Sequence, residues 1–141
     1  MKSQDVEYAR YRLCRAAESL DEARILLGSG HLYGAVNRLY YACFYAVSAL
    51  LLTEGQSSSR HSGVRSLFDQ YWVNTGRVPA ELGRLYRELF QRRQRSDYGD
   101  LARFESAEVE RLNGEAVEFV KTVSARAEQV ISKSQEDETQ C

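Results

Sequence analysis

Apolar residues recur along this chain at intervals of three and four, and glycine marks most of the breaks between the repeats. Val6, Ala9, Leu13, Ala16, Leu20, Ala23 and Leu27 form one stripe over about 5–28, the spacing of an amphipathic helix. Gly28-Ser29-Gly30 ends it, as glycine does just past helix C-termini. The next stretch, GAVNRLYYACFYAVSALLL at 34–52, differs in kind. From Leu39 to Leu52 only Ser48 is conventionally polar, so apolar side chains cover every face of a helix over about 32–54. A helix of that sort is surrounded by protein or by lipid. Its continuous run of about 14 residues is shorter than the roughly 20 needed to cross a bilayer. The pattern therefore predicts the central buried rod of a bundle, with a share in a subunit contact and no membrane association.

Three more helices follow. Val64, Leu67, Phe68, Tyr71 and Trp72 lie on one side of a helix over about 61–74. Pro79, favourable at a first helical position, opens a helix over about 79–97 that presents Leu82, Leu85, Tyr86, Leu89 and Phe90. Val109, Leu112, Ala116, Phe119, Val123, Ala127 and Val130 carry the last, over about 106–133. Gly114 within it costs about 1 kcal/mol relative to alanine, too little to interrupt so regular a pattern. Short connections favour antiparallel neighbours. The fold class is all-α, an up-and-down antiparallel bundle of four to five helices. One domain spans 1–134, and the polar stretch 135–141 reads as a disordered tail.

Composition narrows the chemistry. With a net charge of −1 over 141 residues, there is no global pull toward nucleic acid or membrane. Cys14, Cys43 and Cys141 are too widely spaced for a zinc knuckle. Cys14 and Cys43 fall in helical patterns, which reads as reduced core thiols, and the N-terminus lacks the apolar core of a signal peptide. A cytoplasmic location is the expectation. No glycine loop follows a strand, and no Ser–His–Asp order, His-x-x-x-His pair or paired carboxylates appear. No cofactor and no metal are expected.

The charged residues of the fourth helix are less ordinary. Arg93 continues the apolar face made by Leu82, Leu85 and Leu89, with Asp97 four residues on, within reach for an ion pair. An acid in a last turn opposes the helix dipole, and such local conflicts concentrate at functional or strained sites. A structural ion pair accounts for the same residues. Arg84, Arg87, Arg92, Arg93 and Arg95 against Glu81 and Glu88 give a local charge of +3. Guanidinium forks suit phosphate oxygens, and Tyr98 beside them can stack on a base; a solvated face in which Glu88 pairs with Arg84 and Arg92 is the plainer alternative. Arg38 enters the apolar rod and needs a carboxylate, with Asp97 and Glu54 as candidates. It then either fixes helix order or lines the cleft with Arg93. The aromatic group Tyr33, Tyr40, Tyr41, Phe44 and Tyr45 reads as core and interface packing.

Three segments, AVNRLYYACFYA at 35–46, SRHSGV at 59–64 and ELGRLYRELFQRRQRSDY at 81–98, resemble the HEPN domain. The likeness is to its small stand-alone branch, whose signature ends in Arg-x-x-x-Asp-Tyr, and it extends in order over roughly 5–130. The resemblance implies a helical bundle that dimerises, encoded beside a minimal nucleotidyltransferase. It also implies the toxin-like or RNA-processing role of such pairs, with a metal-independent ribonuclease as the activity. The family's catalytic signature is an arginine followed, after four to six residues, by a histidine. An imidazole moves protons near neutrality while the guanidinium offsets charge on the phosphate. Here Arg92 or Arg93 takes the arginine place, and Asp97-Tyr98 stands where histidine is expected. His61, in the SRHSGV segment, is the better source of an imidazole, unless it serves only as a helix cap or polar contact. Arg24 and His31 match the spacing across the Gly28–Gly30 break, a chance match. The candidate catalytic residues are thus Arg93, Asp97, Tyr98 and His61, and the candidate nucleic-acid contacts are Arg92, Arg95, Arg87 and Arg38. The alternative is a non-catalytic module that binds nucleotide, RNA or its partner through a degenerate site.

Overall fold

A computed structural model of the chain describes residues 1–98 and 103–139, with side chains placed for 1–95 and 103–135. Among these, five α-helices and no strand are present: α1 (Ser3–Gly28), α2 (Leu32–Leu52), α3 (His61–Phe68), α4 (Ala80–Tyr98) and α5 (Ser106–Thr139). The packed all-α bundle expected from the hydrophobic repeat is what forms.

α1 and α2 make the most extensive helix pair, for a reason visible in their residues. Ala9, Ala16 and Ala23 recur every seven positions on α1, as do Ala35, Ala42 and Ala49 on α2, and all six are fully buried. A seven-residue repeat keeps one seam facing a partner, and alanine lets two backbones approach closely. The pairing is antiparallel: Leu26 lies beside Gly34, Glu22 meets Arg38, and Arg15 sits over Tyr45. α5 runs antiparallel to both α1 and α4, as the contacts Arg10–Glu128, Arg92–Glu108 and Arg111–Glu88 require.

α2 is the core rod. Leu39, Tyr40, Cys43, Ala46, Val47, Leu50 and Leu51 are fully buried. Burial is not uniform, however. Asn37, Tyr41, Phe44, Tyr45, Ser48 and Leu52 are only half-buried, and their spacing puts them on one face. As a whole helix of 21 residues α2 is long and apolar enough to cross a bilayer, beyond what its continuous run indicates; here 67% of its most apolar window is buried inside the bundle.

The third helix departs from expectation. Regular α-helix stops at Phe68, and Asp69–Val73 form a single π-helical turn, closed by Asn74 N–H donating to Asp69 O at 2.8 Å. Regular helix to 74 would have put Tyr71 and Trp72 on the apolar side together. The wider turn buries Trp72 completely and leaves Tyr71 39% exposed. α4 lies tight against this turn: a Cβ on Gly83 would come within 3.0 Å of Val73 Cγ1. α5 runs to Thr139, taking in 135–139 of the stretch read as a tail; residues 140 and 141 lie outside the described residues. Cys43 is a buried thiol as expected, whereas Cys14 is exposed, because it falls on the outer side of α1, off the Ala9–Ala16–Ala23 seam.

Candidate functional site

His61 is the first residue of α3, after Arg60 at the cap position. Its side chain does not cap the helix. It turns inward over α2, where its ring stacks on Phe44 with centroids 4.6 Å apart and on Tyr40 at 5.6 Å. Nδ1 lies 2.8 Å from the Tyr40 hydroxyl. From α4, Arg93 brings Nη1 to 3.5 Å from the same nitrogen and donates through Nη2 to the Tyr41 hydroxyl at 3.3 Å. The Arg93 guanidinium also sits over both tyrosine rings, at 5.1 and 5.2 Å. Two residues separated by 32 positions, on different helices, thus meet within one chain.

The protonation of this cluster follows from its partners. Arginine has no acceptor, so the nitrogen it approaches must carry a lone pair. Burial pushes the Tyr40 phenol up to about 12, so Tyr40 keeps its proton and donates it to Nδ1. Both neighbours therefore select the neutral tautomer with hydrogen on Nε2. Nε2 makes no hydrogen bond among the described residues. Burial, and then the Arg93 guanidinium, hold the imidazole below its ordinary range, since a second positive charge there is unfavourable. At neutral pH His61 is an uncharged imidazole beside a fixed cation.

More cations surround the pair. Arg65, one turn after His61 on α3, stacks on Phe90 at 4.6 Å. Arg38 lies 4.9 Å over the Tyr41 ring, so it borders the same cluster. Its carboxylate partner is neither Glu54 nor, among the described residues, Asp97. It is Glu22 of α1, at 3.6 Å, because antiparallel packing sets that residue opposite; Glu54 pairs instead with Arg77. Arg38 also donates to Asn37 Oδ1.

The rest of the basic cluster on α4 disperses. Arg92 is neutralised by Glu88 and Glu108. Arg87 approaches Asp69 at 3.8 Å, and Arg84 takes Glu81 rather than Glu88. Arg95 is exposed. The side chains of Asp97 and Tyr98, on which the Arg93–Asp97 pair and the stacking role depend, lie outside the described residues. His31 and Arg24 take no part: His31 stands just before α2 without a side-chain capping bond, and Arg24 approaches Asp21 at 3.8 Å.

Tyr40, Tyr41 and Arg65 are members of the site that sequence reasoning missed. Signals for them existed: a phenol within an otherwise apolar helix needs a hydrogen-bond partner, and Arg65 stands four residues from His61, on the same helix face. A cavity of about 500 Å³ between α4 and α5 is a poorer phosphate site. Glu81, Glu88, Glu115 and Glu118 line it, and its arginines, Arg84 and Arg111, are already paired with glutamates. Among the described residues no group of three or more His, Cys, Asp or Glu could hold a metal ion.

Such a cluster, a neutral imidazole and a guanidinium on a helical bundle, can grip a phosphodiester and move a proton at it. Comparison with known proteins agrees with the fold that carries it. A UPF0332 protein of Thermotoga maritima is 49% identical over 108 residues, covering 77% of this chain and 80% of the relative. "Putative toxin MJ0142" of Methanocaldococcus jannaschii is 35% identical over 98 residues, 70% of this chain and 67% of the relative. A UPF0332 protein of Gloeobacter violaceus is 42% identical over 85 residues, 60% and 68% of the two chains. Residues 9–131, which include the helices that bring His61 to Arg93, match the HEPN domain, and the chain belongs to the HEPN domain family.

Proposed function

We propose that this chain binds RNA phosphodiesters through Arg93 and His61 and cleaves them without a metal. It would do so in the cytoplasm as a homodimer, the toxin-like or RNA-processing member of a pair with a minimal nucleotidyltransferase. The observation that carries the reading is the approach of Arg93 Nη1 to His61 Nδ1, which restores in space the arginine–histidine pair that the α4 segment lacks in sequence. Kinship with proteins named as toxins supports it.

In this reading the imidazole exchanges Tyr40 for substrate and takes the proton of the ribose 2′-hydroxyl as the 2′-oxygen bonds to phosphorus. The imidazolium returns a proton to the 5′-oxygen as the bond from phosphorus to that oxygen breaks, leaving a 2′,3′-cyclic phosphate. The lowered proton affinity of His61 keeps the base form available near neutrality and makes its conjugate a better acid. Arg93 offsets the charge gathering on the phosphate. The edge of the half-buried face of α2 formed by Asn37, Tyr41 and Tyr45 is the surface through which a second copy would pack.

Purified protein incubated with tRNA and mRNA in the presence of chelator tests the reading directly. Cleavage with cyclic-phosphate ends, lost by about 10²-fold or more in Arg93→Ala and His61→Ala, is the expected result. RNA left equally intact by wild type and variants would remove the enzyme.

The resting tautomer favours a second reading, since with hydrogen on Nε2 and Nδ1 engaged His61 is a donor rather than a base. A non-catalytic module would bind RNA or nucleotide with an affinity that falls with salt and with Arg93→Ala, and would leave the strand whole.

A further inference from the structure

A pocket of about 80 Å³ lies between α1, the second half of α2 and the loop that leads into α3. Tyr8, Arg12, Phe44, Ser48, Ser57 and Ser58 line it, and aliphatic side chains of α2 and α3 complete the wall. No carboxylate lines it among the described residues, in contrast to the four-glutamate cavity between α4 and α5. Its chemistry is aromatic faces, one cation and three serine hydroxyls beside the Tyr8 phenol, a set that suits a flat neutral ring bearing oxygen acceptors.

The polar groups are held in place. Arg12 donates to the Tyr8 hydroxyl at 3.0 Å, and its guanidinium lies 5.0 Å from that ring's centroid. Ser58 Oγ accepts from Arg60 N–H at 3.2 Å, which leaves the hydroxyl hydrogen to donate elsewhere. The loop can sit this close to α3 because residue 63 is glycine: a Cβ there would stand 2.1 Å from Ser58 Oγ.

Phe44 connects this pocket to the site on α3 and α4. It lines the pocket, and its ring stacks on His61 with centroids 4.6 Å apart and planes 27° from parallel. A ring seated in the pocket is therefore one aromatic thickness from the imidazole, comparable to the span between a nucleotide's base and its own phosphate.

We propose that this pocket is a base subsite, taking one pyrimidine ring of a single-stranded RNA whose phosphate lies on Arg93 and His61. The inference rests on the RNA reading of that pair. The volume is close to that of one six-membered ring, which favours a pyrimidine over the fused pair of a purine. Arg12 and the serine hydroxyls meet the ring's carbonyl oxygens, while Phe44 and Tyr8 supply apolar faces. Arg12, with no carboxylate beside it among the described lining residues, turns away cationic ligands. Single-strand binders use the same combination of cations and stacking faces.

The test compares inorganic phosphate, uridine 3′-monophosphate and adenosine 3′-monophosphate by calorimetric or NMR titration of the full chain. Wild type, Ser48→Phe, which fills the pocket from a half-buried position, Arg12→Ala and Arg93→Ala are measured side by side. The uridine compound should bind about tenfold or more tighter than phosphate, the gain of one stacked base, and tighter than the adenosine compound. Ser48→Phe and Arg12→Ala should each remove most of that gain and leave phosphate binding unchanged. Equal affinity for the three ligands overturns the subsite, as does a uridine preference that survives both substitutions. If Ser48→Phe instead splits a dimer in sedimentation while nucleotide binding is unaltered, the pocket belongs to a contact between copies and the proposal fails. Arg93→Ala separates the two ideas: unchanged phosphate binding in that variant removes the Arg93–His61 reading, whatever the base preference shows.

Discussion

Replacing Tyr40 with phenylalanine removes one of the two groups that meet His61 at Nδ1. The ring stays in its fully buried position against Phe44, Tyr86 and Phe90, so what is lost is the hydroxyl, with its 2.8 Å contact with Nδ1 and its interaction with the Tyr86 hydroxyl. An intramolecular hydrogen bond of this kind contributes about 1 kcal/mol, which for a domain of this size lowers the melting temperature by roughly 3–6 °C. The electrostatic effect has a definite sign. Donation from Tyr40 stabilises the neutral imidazole, so its removal should raise the proton affinity of His61, while Arg93 continues to hold it down. Long-range ¹H–¹⁵N correlation spectra of the imidazole report both quantities, because protonated and bare ring nitrogens differ widely in shift. Wild type at neutral pH should show hydrogen on Nε2 and a bare Nδ1. Tyr40→Phe should titrate at higher pH and keep hydrogen on Nε2, since Arg93 still faces Nδ1. A wild-type spectrum with hydrogen on Nδ1 would refute the assignment, and a variant that titrates at lower pH would refute the account of what Tyr40 does.

Two helical glycines should respond to alanine with opposite signs. At Gly114 a Cβ meets nothing within 4 Å, so Gly114→Ala should stabilise by up to about 1 kcal/mol. At Gly83 it meets Val73 at 3.0 and 3.2 Å, and crowding of about 1–3 kcal/mol should outweigh the same gain; denaturant melts of the pair check both. Acid should weaken the fold in two stages. His61, held low by burial and Arg93, charges more readily when unfolded, so stability falls as pH drops below about 6.5. Glu88, held low chiefly by its hydrogen bond to Arg111, adds a further loss below the ordinary carboxylate range. At the other end, Tyr40 at about 12 costs stability as pH rises above 10, the unfolded phenol's value. A melting temperature flat between pH 7 and pH 5 would contradict the His61 contribution. Cys43 is fully buried with its thiol pushed up, and Cys14 is exposed, so a thiol reagent at neutral pH should label Cys14 in the folded protein and Cys43 only on unfolding.

Much of the bundle could be read from periodicity because helices one residue out of phase would expose their stripes. α1 and α2 begin and end within two residues of the bounds predicted from the apolar repeat and its glycine breaks. The π turn at 69–73 was hidden, since its cause is the shape of the core around Trp72 and the fit of Gly83, neither of which is local in sequence. Arg38 illustrates the same limit: its need for an acid was clear from burial, but Glu22 became its partner through antiparallel packing of α1. Arg93 was recognisable as out of place in a purely structural chain, and His61 through the resemblance carried by its SRHSGV segment. Their meeting was not, because it depends on how α3 and α4 both settle on α2.

The alanine seam between α1 and α2 has one more implication. Three matched pairs at seven-residue spacing do not choose their own alignment, for sliding one helix by seven residues would still match two of the three. What selects among these near-equivalent alignments is the tether of residues 29–31, with Gly30 at φ 78°, which is too short to allow such a slide. Lengthening that tether should free the first helix to lie against a neighbouring chain's rod instead of its own, giving exchanged dimers without altering a single buried side chain.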